Sequence, residues 1–519
     1  MMTLYEKLKN YSSSDYYGFH MPGHKRNEAF ADAVPSCELD ITEIEGFDDL
    51  HHADGVLREA QDRAAALYGA EETHFLINGS TVGILSGILG VTDKGDSILV
   101  ARNCHKSVYH AIDLNELEPV YLYPEFDRDT QLNMEISVQD VRESLEAYPQ
   151  IRAVVIVSPT YDGVVSDVAA IAEAVHEKGL PLIVDEAHGA HFGFHPYFPE
   201  NSNRAGADIV IHSLHKTLPS LTQTALIHIN GSLVSRRKVR KYLRMLQSSS
   251  PSYVLMASID SCIHLLEEKM EELFLPYICD LDRTRAALGK MKSLRLIPED
   301  TSGSETSASD RYDCSKIIIS TKETGISGRE LYYLLLERYH LQMEMKAGTY
   351  VVAMTSFADR TEGFERLIHA LAETDQRLSA CLPQSGSSQP SPGTDAPPVL
   401  PRIYSTAAIE RIRELAETGR RVQGRQTAPA GKRGEEGHEA AIQTEVQERP
   451  GIRKIPQIEA AGYISLEYVY LYPPGIPIIV PGEFITEAAV RFLDGYARAG
   501  YTLEGPEEEN YLECYPAPR

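Results

Sequence analysis

The chain lacks the long apolar runs and fixed spacings that mark several protein classes. No stretch approaches the roughly 18 consecutive apolar residues of a membrane-spanning helix, so no membrane partner is expected. The opening Met1-Met-Thr-Leu-Tyr-Glu-Lys-Leu-Lys-Asn10 has no apolar core of the kind a secretory leader requires. Cysteine is sparse: Cys37, Cys104, Cys262, Cys279, Cys314, Cys381 and Cys514 are scattered, odd in number and without a CxxC pair. That pattern reads as reduced thiols in a cytoplasmic protein, not a disulfide frame or a zinc site. Neither GxGxxG after a strand nor GxxxxGK[ST] occurs, which removes the common nucleotide readings, and HExxH is missing. His188 and His191 supply two metal ligands with no third evident nearby, so no metal is expected. Basic residues are outnumbered, 50 Lys and Arg against 75 Asp and Glu, for a formal net charge of −25. Nucleic acid is therefore a poor partner.

What is present is an alternation of strand and helix signals from residue 55 to about 230. Gly55 to Tyr68 reads as an amphipathic helix closed by Gly69. Strands are expected at 73–77, 97–101, 119–123, 153–158 and 182–185, with helices at 81–91, 107–114, 138–147 and 168–178 between them. Short β-branched strands separated by helices predict an α/β fold with a mostly parallel sheet covered on both faces. Residues 233–246 and 255–270 read as long helices, and a smaller α/β unit follows with strand 316–320, helix 328–339 and strand 349–355. The expected division is an N-terminal segment 1–50, a large domain 51–300 and a small domain 301–381. A linker and charged, exposed, mobile insertion (382–454) and a C-terminal domain 455–519 complete it.

Two strand ends carry the chemistry. Leu180-Pro-Leu-Ile-Val-Asp185 finishes in a carboxylate, and Ala207-Asp-Ile-Val-Ile-His212 runs into Ser213-Leu-His-Lys-Thr217. Groups at the carboxyl ends of neighbouring strands converge on one crevice. An Asp and a Lys meeting there suit pyridoxal 5'-phosphate (PLP), which needs an amine for a Schiff base, Lys216, and an anion for its ring nitrogen, Asp185. Asn78-Gly-Ser80-Thr81 lies between a strand and a helix start, where free N–H groups favour a phosphate; Ser213 and His215 are placed to close the cup. The same four residues also read as a plain helix cap. His105, in Asn103-Cys-His-Lys-Ser107, follows another strand and offers a flat face for the ring.

Together with these motifs, Phe19-His-Met-Pro-Gly-His-Lys25, Asp48-Asp-Leu-His51, Ser158-Pro-Thr-Tyr161, Asp185-Glu-Ala-His-Gly189 and Ser213-Leu-His-Lys-Thr-Leu-Pro219 resemble the Orn/Lys/Arg decarboxylase family. Gln247-Ser-Ser-Ser-Pro-Ser-Tyr253 and the segment from Tyr472-Pro-Pro-Gly to Pro481-Gly-Glu483 extend the likeness over nearly the whole chain. The resemblance implies the aspartate-aminotransferase fold (fold type I), with a seven-stranded type of sheet and smaller α/β C-terminal domains. It implies PLP held by Lys216, Asp185 and a stacked His105, with Ser80, Thr81, Ser213 and His215 around its phosphate. The Ser248–Ser250 stretch, Ser249 included, resembles a segment lent by a partner subunit, so at least a dimer with shared sites is implied. Glu483 resembles the carboxylate that meets the distal cation of a basic amino acid. His188 stands beside the ring where many large members carry an aromatic residue. The Met-Pro-Gly-His motif begins about twenty residues in, which resembles the short forms without an N-terminal wing.

Decarboxylation of arginine to agmatine is the first expectation, then lysine to cadaverine or ornithine to putrescine, with a place in polyamine biosynthesis. The fold also hosts aminotransferases, and a non-catalytic PLP-binding regulator is the third reading.

Overall fold

The computed structural model describes residues 2–13, 38–299, 311–381, 396–418, 451–472, 476–498 and 502–518. The Phe19–Lys25 motif and most of the charged span 418–453 lie outside them, as do Pro473-Pro-Gly475. The chain divides into two compact units: residues 1–111 with 119–391, and residues 112–118 with 392–519.

The first unit is built on a seven-stranded sheet. Its strands are β1 (Glu72–Leu76), β2 (Ser97–Ala101), β3 (Glu118–Leu122), β4 (Ile151–Val157), β5 (Leu182–Asp185), β6 (Ile209–His212) and β7 (Ala225–Ile229). They lie in the order β1-β7-β6-β5-β4-β2-β3. β2, β4, β5 and β6 pair in parallel, while β7 runs antiparallel to both β6 and β1. The central strands read Leu-Ile-Val-Asp and Ile-Val-Ile-His with every residue buried, as a sheet covered on both faces demands. Each buried Val or Ile side chain contributes about 2 kcal/mol of burial. The sheet matches the expected α/β class; each expected strand lies within two residues of an observed one, and β7 was not expected.

Helix α1 (Leu4–Ser12) begins with a capping box in which Thr3 and Glu6 satisfy one another's N–H groups. Helix α2 (Val56–Tyr68) buries Leu57, Ala60, Ala64 and Tyr68 at helical spacing and stops at left-handed Gly69. Helix α3 (Gly79–Val91) is rich in glycine because it lies hard against its neighbours. A Cβ on Gly83 would sit 2.6 Å from Leu76, and one on Gly90 would sit 2.5 Å from Val239. Helices α4 (Lys106–Leu114), α5 (Val138–Ala147) and α6 (Val168–His176) follow the alternation expected of them, and α7 is one helical turn, Leu214–Thr217. Helices α8 (Arg236–Leu246) and α9 (Tyr253–Leu288) come next; α9 runs well past the expected end near residue 270, with non-helical angles at Lys269 and Pro276 inside it. A second, antiparallel sheet of this unit contains β8 (Arg295–Ile297), β9 (Lys316–Ser320), β10 (Met345–Lys346) and β11 (Tyr350–Met354), in the order β8-β9-β11-β10. Helices α10 (Gly328–Tyr339) and α11 (Thr361–Cys381) accompany it.

The second unit holds helix α12 (Thr406–Thr418), inside the span expected as linker, because Ile409 and Ile412 supply a buried stripe. Its strands are β12 (Arg453–Pro456), β13 (Tyr463–Ser465), β14 (Val469–Tyr472) and β15 (Ile476–Ile479), then β16 (Thr502–Glu504) and β17 (Tyr511–Pro516). They form two antiparallel sheets, β12-β17-β13 and β15-β14-β16. Helix α13 (Glu487–Arg498) covers them with Ala489, Phe492, Leu493 and Tyr496.

Candidate active site

Because β2, β5 and β6 are parallel, the segments that leave their carboxyl ends emerge along one edge of the sheet. β5 ends at Asp185, β6 hands over to Ser213 and the turn bearing His215 and Lys216, and His105 follows β2. Lys216 Nζ lies 2.8 Å from His188 Nε2. Burial holds the Lys216 ammonium below the ordinary lysine range, opposed by the charge of Asp185 and assisted by that of Lys316. Asp185 is 3% exposed and accepts the Ala187 N–H at 3.1 Å. Burial raises its pKa and the Lys216 charge opposes the rise.

His188 is pushed well below the usual imidazole range, first by burial and then by Lys216 and Lys316. It is therefore neutral, and Lys216 donates to its Nε2, which places the ring proton on Nδ1. That Nδ1 is buried without a hydrogen-bond partner among the described residues, as is Asn103 Oδ1 after β2. The Tyr161 ring packs against His188 with centroids 4.8 Å apart. Burial, then Lys216, brings His105 down to about 4, so it too is neutral, with Nδ1 2.8 Å from Ser107 Oγ. His188 and His191 turn to different partners: Lys216 for the first, buried Asp313 for the second, at 3.1 Å.

The start of α3 is left open. Asn78 forms no side-chain cap; its Oδ1 accepts Ser248 N–H at 3.3 Å instead, which corrects the plain-cap reading. Gly79, at φ +72°, turns the chain into the helix. Ser80 Oγ and Ser213 Oγ are hydrogen-bonded, and Ser213 caps nothing with its side chain either. His215 Nδ1 donates to the Thr224 carbonyl at 3.0 Å, while Thr81 and Ser249 are exposed. Unused N–H groups, two hydroxyls and a helix start suit a phosphate; a desolvated amine and a buried carboxylate suit an aldehyde and a protonated ring nitrogen. The residues present fit PLP. Glu483 belongs to the second unit, where it is fully buried and its Oε2 accepts Val480 N–H at 2.8 Å.

Sequence reasoning gave Glu186 no role, although the residue stands inside a quoted motif. It is 2% exposed, bonds His212 Nε2 at 2.6 Å and takes both protons Ser202 can offer. Burial raises its pKa to about 8, and burial lowers that of His212 to about 3. An unfolded glutamate releases its proton near 4.5, so between 4.5 and 8 the folded chain binds more protons and Glu186 costs stability as pH rises. His212 acts oppositely, but only between about 3 and 6.5. From 6.5 to 8 the Glu186 slope stands alone of the two. Urea unfolding of the wild type minus that of Glu186→Gln is expected to fall across that interval; a difference independent of pH would refute the assignment.

The strand ends bring a desolvated amine and a buried carboxylate to one edge of an α/β sheet. The chain belongs to the Orn/Lys/Arg decarboxylase family: residues 2–297 match its major domain and 437–509 its C-terminal domain. It is 31% identical to an arginine decarboxylase of Bacillus subtilis, over 97% of this chain and 95% of that one. It is 32% identical to another from Halalkalibacterium halodurans, over 95% and 93%. A lysine decarboxylase of Pseudomonas aeruginosa is 26% identical over 96% of this chain and 76% of its own length. Among solved structures, the Francisella novicida lysine decarboxylase shares the fold with a TM-score of 0.73, at 18% identity over 99% of this chain and 81% of that one. Among the described residues no helix is long and apolar enough to cross a membrane.

Proposed function

We propose that the chain decarboxylates a basic L-amino acid with PLP, and that the amino acid is arginine, giving agmatine. Convergence of Lys216 and Asp185 at adjoining strand ends carries the reading. The arginine decarboxylases at 31% and 32% identity over nearly full length support the substrate. When bound, PLP supplies an aldehyde that takes up an amine and a ring that accepts the electron pair left by departing CO2.

The residues divide the remaining work. Lys216, its ammonium destabilised by burial and hydrogen-bonded to neutral His188 Nε2, would hold the cofactor's aldehyde through its amine. Asp185 would keep the ring nitrogen protonated through a charge-assisted bond. His105, neutral and flat, would support the ring, and His188 lies beside Lys216. Ser80, Ser213 and the open start of α3 would hold the phosphate, with Thr81 and His215 nearby and Ser249 lent by a second copy. Lys216 or His215 returns a proton to the α-carbon. The fork of arginine and the point charge of lysine differ in geometry, so a carboxylate that meets the distal cation can tell them apart.

Exposed Ser249 and its neighbours make the two-fold sharing of sites part of this reading, so the working unit is at least a dimer in the cytoplasm. Separate incubations with arginine, lysine and ornithine test the substrate. Agmatine as the main product is expected; cadaverine or putrescine formed faster would overturn arginine.

A further inference from the structure

Thr73, His228, His212 and Glu186 form one buried file of hydrogen bonds. Thr73 Oγ1 lies 2.7 Å from His228 Nδ1, His228 Nε2 lies 2.9 Å from His212 Nδ1, and His212 Nε2 lies 2.6 Å from Glu186 Oε2. The residues sit on β1, β7 and β6 and directly after β5, so the file follows the order of strands across the sheet. Tyr68 of α2 covers both imidazoles, with centroids 4.6 and 4.9 Å away, and its hydroxyl is tied to Ala190 O. At one end Glu186 adjoins Asp185. At the other, Thr73 lines a cavity of about 130 Å³ with His51, Gln61, Glu72, His74 and Arg240.

All three bonds run in one direction or all three in the other. With Glu186 ionised, Thr73 donates to His228, His228 Nε2–H to His212, and His212 Nε2–H to Glu186. With Glu186 protonated, the carboxylic acid donates to His212, His212 Nδ1–H to His228, and His228 Nδ1–H to Thr73. Every member is satisfied in both arrangements, which differ by one proton. A proton reaching His228 Nδ1 converts the first into the second. His228 gives its Nε2 proton to His212, and His212 gives its own to Glu186. Two N–H bonds break, two N–H bonds and one O–H bond form, and one proton is gained.

We propose that this file is a proton relay by which the cavity at the β1 edge sets the charge of Glu186, and through it the field on Asp185. The link to Asp185 rests on the PLP reading. Glu186 is faced by Ser202, His212 and, further off, His191 and Glu200; Tyr68 and Cys262 of α9 lie on the covering side. His228 is faced by Thr73, His212, His74 and Tyr68.

Infrared difference spectroscopy during a pH jump reads the protonated-carboxyl band, with and without cofactor, and stopped-flow absorbance reads the cofactor at Lys216 in the holoenzyme. The band is expected to titrate in the wild type and to vanish in Glu186→Gln. Thr73→Val keeps the band, with a midpoint moved by the lost Thr73 bond, but reaches it about 10²-fold more slowly; Thr73→Ser restores the rate and the midpoint. Cofactor absorbance relaxes in step with the band in the wild type and loses that phase in Glu186→Gln. A band that survives Glu186→Gln, or a Thr73→Val protein that equilibrates at the wild-type rate, overturns the relay. An infrared band that titrates while a well-formed cofactor absorbance stays indifferent to it overturns the link to Asp185. A protein that titrates but takes up no cofactor removes the PLP reading instead, a failure distinguishable from both.

Discussion

Lys216→Ala is expected to lose decarboxylation by a factor on the order of 10⁶, the scale on which deletion of a covalent catalytic group is felt. An ammonium placed at the end of β6 among apolar strands is harder to keep charged, and Lys316 adds to the difficulty. His188, held neutral by the same burial, accepts its hydrogen bond at 2.8 Å. A lysine whose ammonium is destabilised in this way offers its free amine more readily than an exposed one does. Alanine removes the amine and leaves Ser80, Ser213 and Asp185 untouched, so cofactor still binds but lacks its covalent tether. Steady-state CO2 release and the visible absorbance of the loaded protein check this together. Retained turnover near the wild-type rate would contradict the role given to Lys216.

The second large effect is at Asp185. Asp185→Asn keeps the shape and can keep the bond to Ala187 N–H, so the fold has no cause to change. What disappears is the charge of a buried carboxylate that faces Lys216. Removing one preorganised electrostatic partner from such a site costs about 10²- to 10³-fold in turnover. Turnover is therefore expected to fall by that amount while the substrate concentration for half-maximal rate changes little, because Asp185 acts on the ring and not on the substrate's distal end. Steady-state kinetics on both proteins decide it. A rate within a few-fold of wild type would mean that the ring nitrogen takes no support from this residue.

Lys216, Asp185 and the opening of α3 were legible because each follows a short apolar strand, and parallel strands deliver their ends to a common edge. Local chemistry also sufficed for α2, whose amphipathic face and terminal glycine agree. The capping box at Thr3 and Glu6 is equally local in origin. The relay was not legible. Its bonds join residues 155, 16 and 26 positions apart, and they depend on the antiparallel placement of β7 between β1 and β6. No periodicity in Ala225-Leu-Ile-His-Ile229 announces which strand it will pair with. Without that register, His228 reads as an isolated polar residue in an apolar strand, and Glu186 as a neighbour of the more conspicuous Asp185. The partner of Asn78 was hidden for the same reason: Ser248 lies 170 residues away in sequence.

The most direct measurement follows the carboxyl carbon. The cofactor-loaded protein is given each basic amino acid labelled at C1, and labelled CO2 and keto acid are counted. Labelled CO2 in a one-to-one ratio with the matching amine, and no keto acid, is the expected result. Label retained in a keto acid, with no CO2 released, would contradict decarboxylation and place the chain's chemistry with amino transfer.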